Sequence, residues 1–120
     1  MKKYKKIICL DLDGVICETK LNYYDKSKPK KDVIKYINSL YKKNFYIKIF
    51  TARHMTKFKG DTKKIYKFEY LNTYKQLKSW KISFHELIMG KPSYDYFIDD
   101  KCPYHKKNWP KILNNKISNE

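Results

Sequence analysis

The stretch Ile7-Ile8-Cys9-Leu10-Asp11-Leu12-Asp13-Gly14-Val15 decides how the rest of the chain is read. Four apolar residues lead into two aspartates spaced i, i+2, and a glycine then lets the chain turn sharply. An apolar run that ends in acid and glycine predicts a buried strand delivering carboxylates to the edge of a sheet. Side chains two apart on an extended chain point the same way, so Asp11 and Asp13 can face one small volume. Carboxylates that close repel unless something cationic sits between them, which points to a bound divalent metal. The competing reading is a strand running out into a polar turn. The spacing alone does not separate the two.

At 120 residues the chain is expected to form a single domain over residues 1–120. A hydrophobic content of 42% with 17% aromatic is globular rather than disordered, although much of it is tyrosine. The formal net charge of +16 comes almost wholly from lysine, because Arg53 is the only arginine. Ala52 is the only alanine, and lysine, asparagine, isoleucine and tyrosine abound, a profile that fits AT-rich coding. Such a chain should attract polyanions weakly at low salt. Cys9, Cys17 and Cys102 are odd in number and form no CxxC pair, so a reducing cytoplasm is the expected setting. Met1 to Lys6 is basic like the start of a signal peptide, but the apolar run behind it stops at Asp11. That run is too short for a signal or a membrane span, so a cytoplasmic protein without membrane attachment is expected.

Val15 to Lys28 has no clear period and reads as a short loop or flap beside the carboxylates. Pro29 fits the first turn of a helix whose apolar face is Val33, Ile34, Ile37, Leu40 and Tyr41, with Asn44 as a stop. Phe45 to Phe50 predicts a second strand tipped by Thr51-Ala52-Arg53. His54 to Thr62 reads as a surface loop, with His54 and His85 taken as surface or structural. Ile65 to Lys81 predicts a helix broken near its middle, with Leu71, Tyr74, Leu77 and Trp80 on one face. Leu87 to Met89 is a third strand, running into Gly90-Lys91-Pro92, and Tyr94 to Ile98 a fourth, ending in Asp99-Asp100. The tail, 103–120, carries a weak helical pattern. This order predicts an α/β fold, a mainly parallel sheet with helices on both faces. Ligands of such sheets sit beyond the carboxyl ends of the strands, a rule that gathers Asp11, Asp13, Thr51, Lys91, Asp99 and Asp100 at one edge.

Asp-Leu-Asp-Gly-Val, a strand ending in Thr51, Gly-Lys-Pro and Ile-Asp-Asp resemble the four motifs of the haloacid dehalogenase superfamily. They occur in that family's order from Asp11 to Asp100, most of the chain. The phrases Thr-Ala-Arg and Ile-Asp-Asp-Lys bring the chain closer to the small capsule biosynthesis phosphatases of the superfamily. The resemblance implies a Rossmann-like core and a phosphatase acting through an aspartyl-phosphate. Asp11 would be the nucleophile, and Asp13 would protonate the leaving oxygen and later take a proton from water. Mg2+ would be held by the carboxylates of Asp11 and Asp99 and the main-chain carbonyl of Asp13, with Asp100 supporting the site from behind or through a water. Lys91 would screen charge and Thr51 donate a hydrogen bond. Leu12, Gly14, Ala52 and Arg53 complete the expected phosphate and substrate contacts, Arg53 holding either substrate or a neighbouring carboxylate.

One departure stands out. Parallel neighbours need a crossover of about a dozen residues, yet little chain separates Met89 from Tyr94. Leu87–Met89 is therefore expected antiparallel to, or distant from, the last strand; the deoxyribonucleotidases of the superfamily look similar here. Neither Val15–Lys28 nor His54–Gly60 has room for a cap domain. An uncapped site with a tyrosine-rich surface leads to the expectation of a homo-oligomer. The family's setting implies a small phosphorylated substrate, a sugar phosphate or related precursor of surface polysaccharide. A nucleotide or nucleic-acid-end phosphatase is the alternative enzyme, and a basic binding or scaffold protein on the same fold the alternative of another class.

Overall fold

A computed structural model describes residues 3–120 of the protein, and Met1 and Lys2 of the basic start lie outside the described residues. Three parallel strands form the main sheet: β1 (Ile7–Leu10), β4 (Tyr46–Thr51) and β5 (Glu86–Met89), in the order β1-β4-β5. Ile8 lies beside Ile47, and Ile49 beside both Leu10 and Leu87. The alternation of β4 sends Ile47, Ile49 and Thr51 inward, as a two-residue period requires. They meet Ile34 and Ile37 of α1 (Lys31–Lys42), Ile65 of α2 (Thr62–Phe68) and Leu77 of α3 (Tyr70–Ser79) in one apolar core. The expected α/β class and parallel sheet with helices are what the chain adopts, without a cap. No helix among the described residues is long and apolar enough to cross a membrane.

Several boundaries differ from the expectation. Pro29 belongs not to a helix but to β3 (Lys28–Pro29), which pairs antiparallel with β2 (Cys17–Glu18). The Lys30 amide donates to the Ile16 carbonyl at 2.8 Å, holding the chain extended until α1 can start. Asn44 does follow the helix end, in the left-handed region at φ 71°. The long helix breaks at Glu69 (φ −123°) into α2 and α3, and Asp61 caps α2 by accepting from the Lys64 amide. That break re-phases the second half. Thr73 takes an inward position beside Leu77, while Leu71, expected inside, is 58% exposed.

Tyr94–Ile98 is not a strand. β5 pairs parallel with β4 at the edge away from β1, and four residues connect it to Tyr94. Met89 and Tyr94 are five steps apart, a reach of at most about 18 Å. Returning to the start of a five-residue strand takes roughly 17 Å before any sideways step, which leaves no chain for the turns. The chain instead continues irregularly, and α4 (Trp109–Ser118) closes it with no buried residue. Tyr94 and Phe97 find another use: both rings lie 5.0 Å from the Lys91 ammonium.

Gly90 makes that turn possible. Its φ of +94° suits glycine, and a Cβ there would stand 2.9 Å from the Thr62 Cγ2. Gly60, at φ +79°, has nothing within 4 Å of the same position. Gly90→Ala should therefore cost more than Gly60→Ala, by about 1 kcal/mol on top of the shared backbone strain of about 1–2 kcal/mol. Urea midpoints check this, and equal losses would mean that Thr62 yields freely.

Candidate active site

Directly after β1 the chain wraps around one carbonyl. The amides of Val15, Ile16 and Cys17 all donate to the Leu12 oxygen at 3.3, 2.9 and 3.3 Å, with Gly14 at φ +87°. Leu12 and Ile16 are fully buried, so the loop is anchored in the core. Leu12 points inward between Asp11 and Asp13, which both reach the cleft described below. At the neighbouring strand end, Thr51 is buried and its carbonyl accepts the Lys91 amide at 3.1 Å. Three adjacent strand ends thus deliver Asp11, Thr51 and Lys91 side by side.

Lys91 is 6% exposed, and its Nζ lies 3.5 Å from Asp11 Oδ2. Burial works against its charge, but the Tyr94 hydroxyl and the Asp11 carboxylate outweigh burial and hold the ammonium above the usual lysine pKa. The other Asp11 oxygen accepts its own Leu12 amide at 2.8 Å. Asp13 meets a different cation. Arg53 Nε and Nη2 grip its two oxygens at 2.9 Å each, and the Thr19 hydroxyl donates to the same carboxylate. Burial pushes the Asp13 pKa up, but these bonds prevail and hold it below the ordinary aspartate value.

Arg53 is 3% exposed, and its fork is largely consumed. Besides Asp13, Nη1 donates to Gln76 Oε1 at 2.6 Å and Nη2 to Ser27 Oγ at 3.2 Å, while the Tyr24 ring covers the guanidinium at 4.8 Å. Its own amide donates to Thr51 Oγ1 at 3.1 Å, leaving the threonine O–H free to donate elsewhere. Of the two roles considered for Arg53, holding a neighbouring carboxylate is the one its geometry displays.

A cleft of roughly 610 Å3 opens over this edge, walled by Asp11, Asp13, Ala52, Arg53 and Lys91 and rimmed by Tyr24 and Tyr94. The Leu12 and Gly14 amides, expected to face phosphate, are engaged instead with Asp11 Oδ1 and, at 2.8 Å, with the Cys17 carbonyl. Asp99 and Asp100 are not among the residues that line the cleft. Asp99 accepts the Lys101 amide at 3.0 Å, which with Asp100 holds its pKa down, and Asp100 is exposed. Among the described residues no three His, Cys, Asp or Glu side chains form a group able to hold a metal. Of the acidic donors expected for a metal, the Asp11 carboxylate lines the cleft. So sparse a set suits an ion that keeps most of its waters, as Mg2+ does, rather than one caged by protein.

Several residues around the site carried no signal in the sequence. Thr19 and Ser27 are ordinary flap hydroxyls by composition, and Gln76 lies 23 positions from Arg53 in no motif. His54, taken as surface or structural, lines the cleft at φ 69°, with its ring 4.9 Å from Tyr24 and Nδ1 3.5 Å from Glu69. Burial lowers its pKa against the pull of Glu69. His85 is structural, accepting the Ile47 amide at 3.0 Å and stacking on Tyr46.

No protein-family model matches the chain, and no curated protein matches it by sequence. Solved structures do. An MCSG target from Vibrio cholerae superposes with a TM-score of 0.76 at 24% identity, covering 96% of this chain and 99% of that one. A chain of a Pnkp1/Rnl/Hen1 complex matches at TM-score 0.53 and 15% identity, over 100% of this chain and 36% of its own. A second structure, of the Pnkp1/Rnl/Hen1 RNA repair complex, gives 0.50 at 17% identity, over 93% and 32%. At these identities the likeness is one of fold. The chain spans about a third of the repair-complex chains.

The Arg53–Asp13 pair sets a pH signature. A carboxylate whose folded pKa is depressed stabilises the fold above its unfolded pKa of about 3.9 and loses that contribution as pH falls through the folded value. Asp13→Asn should therefore destabilise by about 2–4 kcal/mol at pH 7, leaving Arg53 buried without its counter-charge. The gap to wild type should narrow below about pH 4. Denaturant titrations at pH 7 and pH 3 measure both, and a gap independent of pH would contradict the pairing.

Proposed function

We propose that the chain is a phosphomonoester hydrolase that works through an aspartyl-phosphate on Asp11. The observation that carries this is Asp11 itself: a carboxylate at a strand end, facing a cleft, with a buried lysine 3.5 Å away. A second carboxylate stands two residues on, fixed by a guanidinium. An Asp11 oxygen would attack phosphorus as the bond to the ester oxygen breaks, and Asp13 would give that oxygen a proton. Water would then attack the phosphoryl-aspartate, with Asp13 taking its proton and inorganic phosphate leaving. Because Arg53 keeps Asp13 ionised at rest, Asp13 must first gain a proton, and an anionic ester beside it favours that gain. Lys91 would draw charge from the transferring oxygens, and the Thr51 hydroxyl would donate to them. Mg2+, held as the motif resemblance implies by Asp11, Asp99 and the Asp13 carbonyl, would offset repulsion between nucleophile and phosphate.

The motif resemblance favours a phosphorylated sugar or related precursor of surface polysaccharide as substrate. The second reading, a nucleotide or nucleic-acid end, draws support from the net charge of +16 and from two neighbours whose description is an RNA repair assembly or its complex. Salt separates them. A polyanionic substrate should lose activity steeply between about 50 and 200 mM salt, and a small sugar phosphate should not.

Purified protein should release phosphate from p-nitrophenyl phosphate in the presence of Mg2+, and Asp11→Asn should lower the rate by roughly 10^3-fold or more. Wild type and mutant equally inert across divalent metals and a panel of phosphate esters would overturn the reading.

A further inference from the structure

The flap between Gly14 and Lys28 is buried at its base and exposed at its tip. Ile16 and Cys17 are fully buried, whereas Leu21 and Tyr23 at its far end are 82% and 55% exposed. A helix reaches it across open space. Gln76, on α3, accepts Arg53 Nη1 through Oε1 at 2.6 Å and donates Nε2 to the Tyr24 carbonyl at 2.7 Å. Those partners leave no ambiguity in the amide, because the guanidinium can only donate and the carbonyl can only accept. The Tyr24 ring meanwhile lies over the same guanidinium, and Ser27, also in the flap, accepts from it. This bridge divides the 610 Å3 cleft from a second of roughly 510 Å3 that lies against α3 and is lined by Asn22, Asp25, Glu69 and Thr73. Beside this bridge the flap rests there on the edge contact of the Tyr24 ring with His54 and on the Thr19 bond to Asp13.

We propose that Gln76 is a positioning residue for phosphoryl transfer, its amide tying the flap to Arg53 so that flap closure and the Arg53 grip on Asp13 form together. The role in the reaction rests on the hydrolase reading above; the tie itself does not. Gln76 touches no reacting atom. It acts by aiming Arg53 from below and by drawing Tyr24 down over the cleft rim.

Two substitutions split the amide's functions. Gln76→Glu still accepts from Arg53 but cannot donate to the Tyr24 carbonyl, and Gln76→Leu loses both bonds. Flap motion is read by amide hydrogen exchange of residues 19–28, and catalysis by kcat and KM for p-nitrophenyl phosphate with Mg2+. Both variants should speed exchange in the flap about tenfold, while exchange in β4 stays as in wild type. Gln76→Leu should cut kcat about tenfold with little change in KM, and Gln76→Glu should fall between it and wild type. Unchanged flap exchange in both variants would overturn the tie. Faster flap exchange with unchanged kcat would overturn the positioning role alone. A wild-type protein inert toward every ester would remove the hydrolase reading and that role with it, while the exchange measurement would still decide the tie.

Discussion

A buried guanidinium organises this molecule. Arg53 is 3% exposed, and a guanidinium in that position has to find partners for its donors or forfeit several kcal/mol of hydration. It finds them in different layers: Asp13 after β1, Gln76 on α3, and Ser27 with the Tyr24 ring in the flap. Leu12, Ile16, Cys17 and Leu77 join the same pieces in the apolar core beneath. Satisfying one charge draws them to one point, and the cleft is the space left between them.

Much of this was legible in the residues and some was not. Short apolar runs marked β1 and β5 and β-branched and aromatic composition marked β4, and the residues at their ends marked the edge where Asp11, Thr51 and Lys91 meet. These are local signals, since strand period and strand-end chemistry lie within ten residues of each other. Arg53 stood out because a lysine-biased chain spends its one arginine there, and the planar fork is used on Asp13. Gln76 could not be found the same way. Its role depends on where α3 lies and on the turn at Glu69 that sets the helix phase, both consequences of tertiary packing. Tyr94–Ile98 misled for the opposite reason. Its composition is that of a strand, but four residues of connection cannot carry it back to the start of the sheet.

The same short connection explains how Lys91 is held. Gly90 turns the chain at φ +94°, the Lys91 amide is fixed to the Thr51 carbonyl, and Tyr94 and Phe97 close on the ammonium from beyond. A lysine used as a fixed charge needs its long stem immobilised, and aromatic rings do this without neutralising it. Residues that a strand would have spent on a ladder thus serve as a clamp. Asp99, which follows the clamp, accepts the Lys101 amide.

β1 also has a second edge. Among the described residues it pairs with β4 alone, and Ile7 within it is 63% exposed. An open parallel edge with an apolar residue on it is a template for another chain's backbone, and proteins protect such edges with nearby charge. Here Lys3, Lys5 and Lys6 lead into the strand, on a molecule carrying +16 overall. The lysine excess therefore has a colloidal consequence independent of any substrate. Copies of the chain repel at the distance where edges would begin to pair, and that protection weakens as the Debye length shrinks with salt.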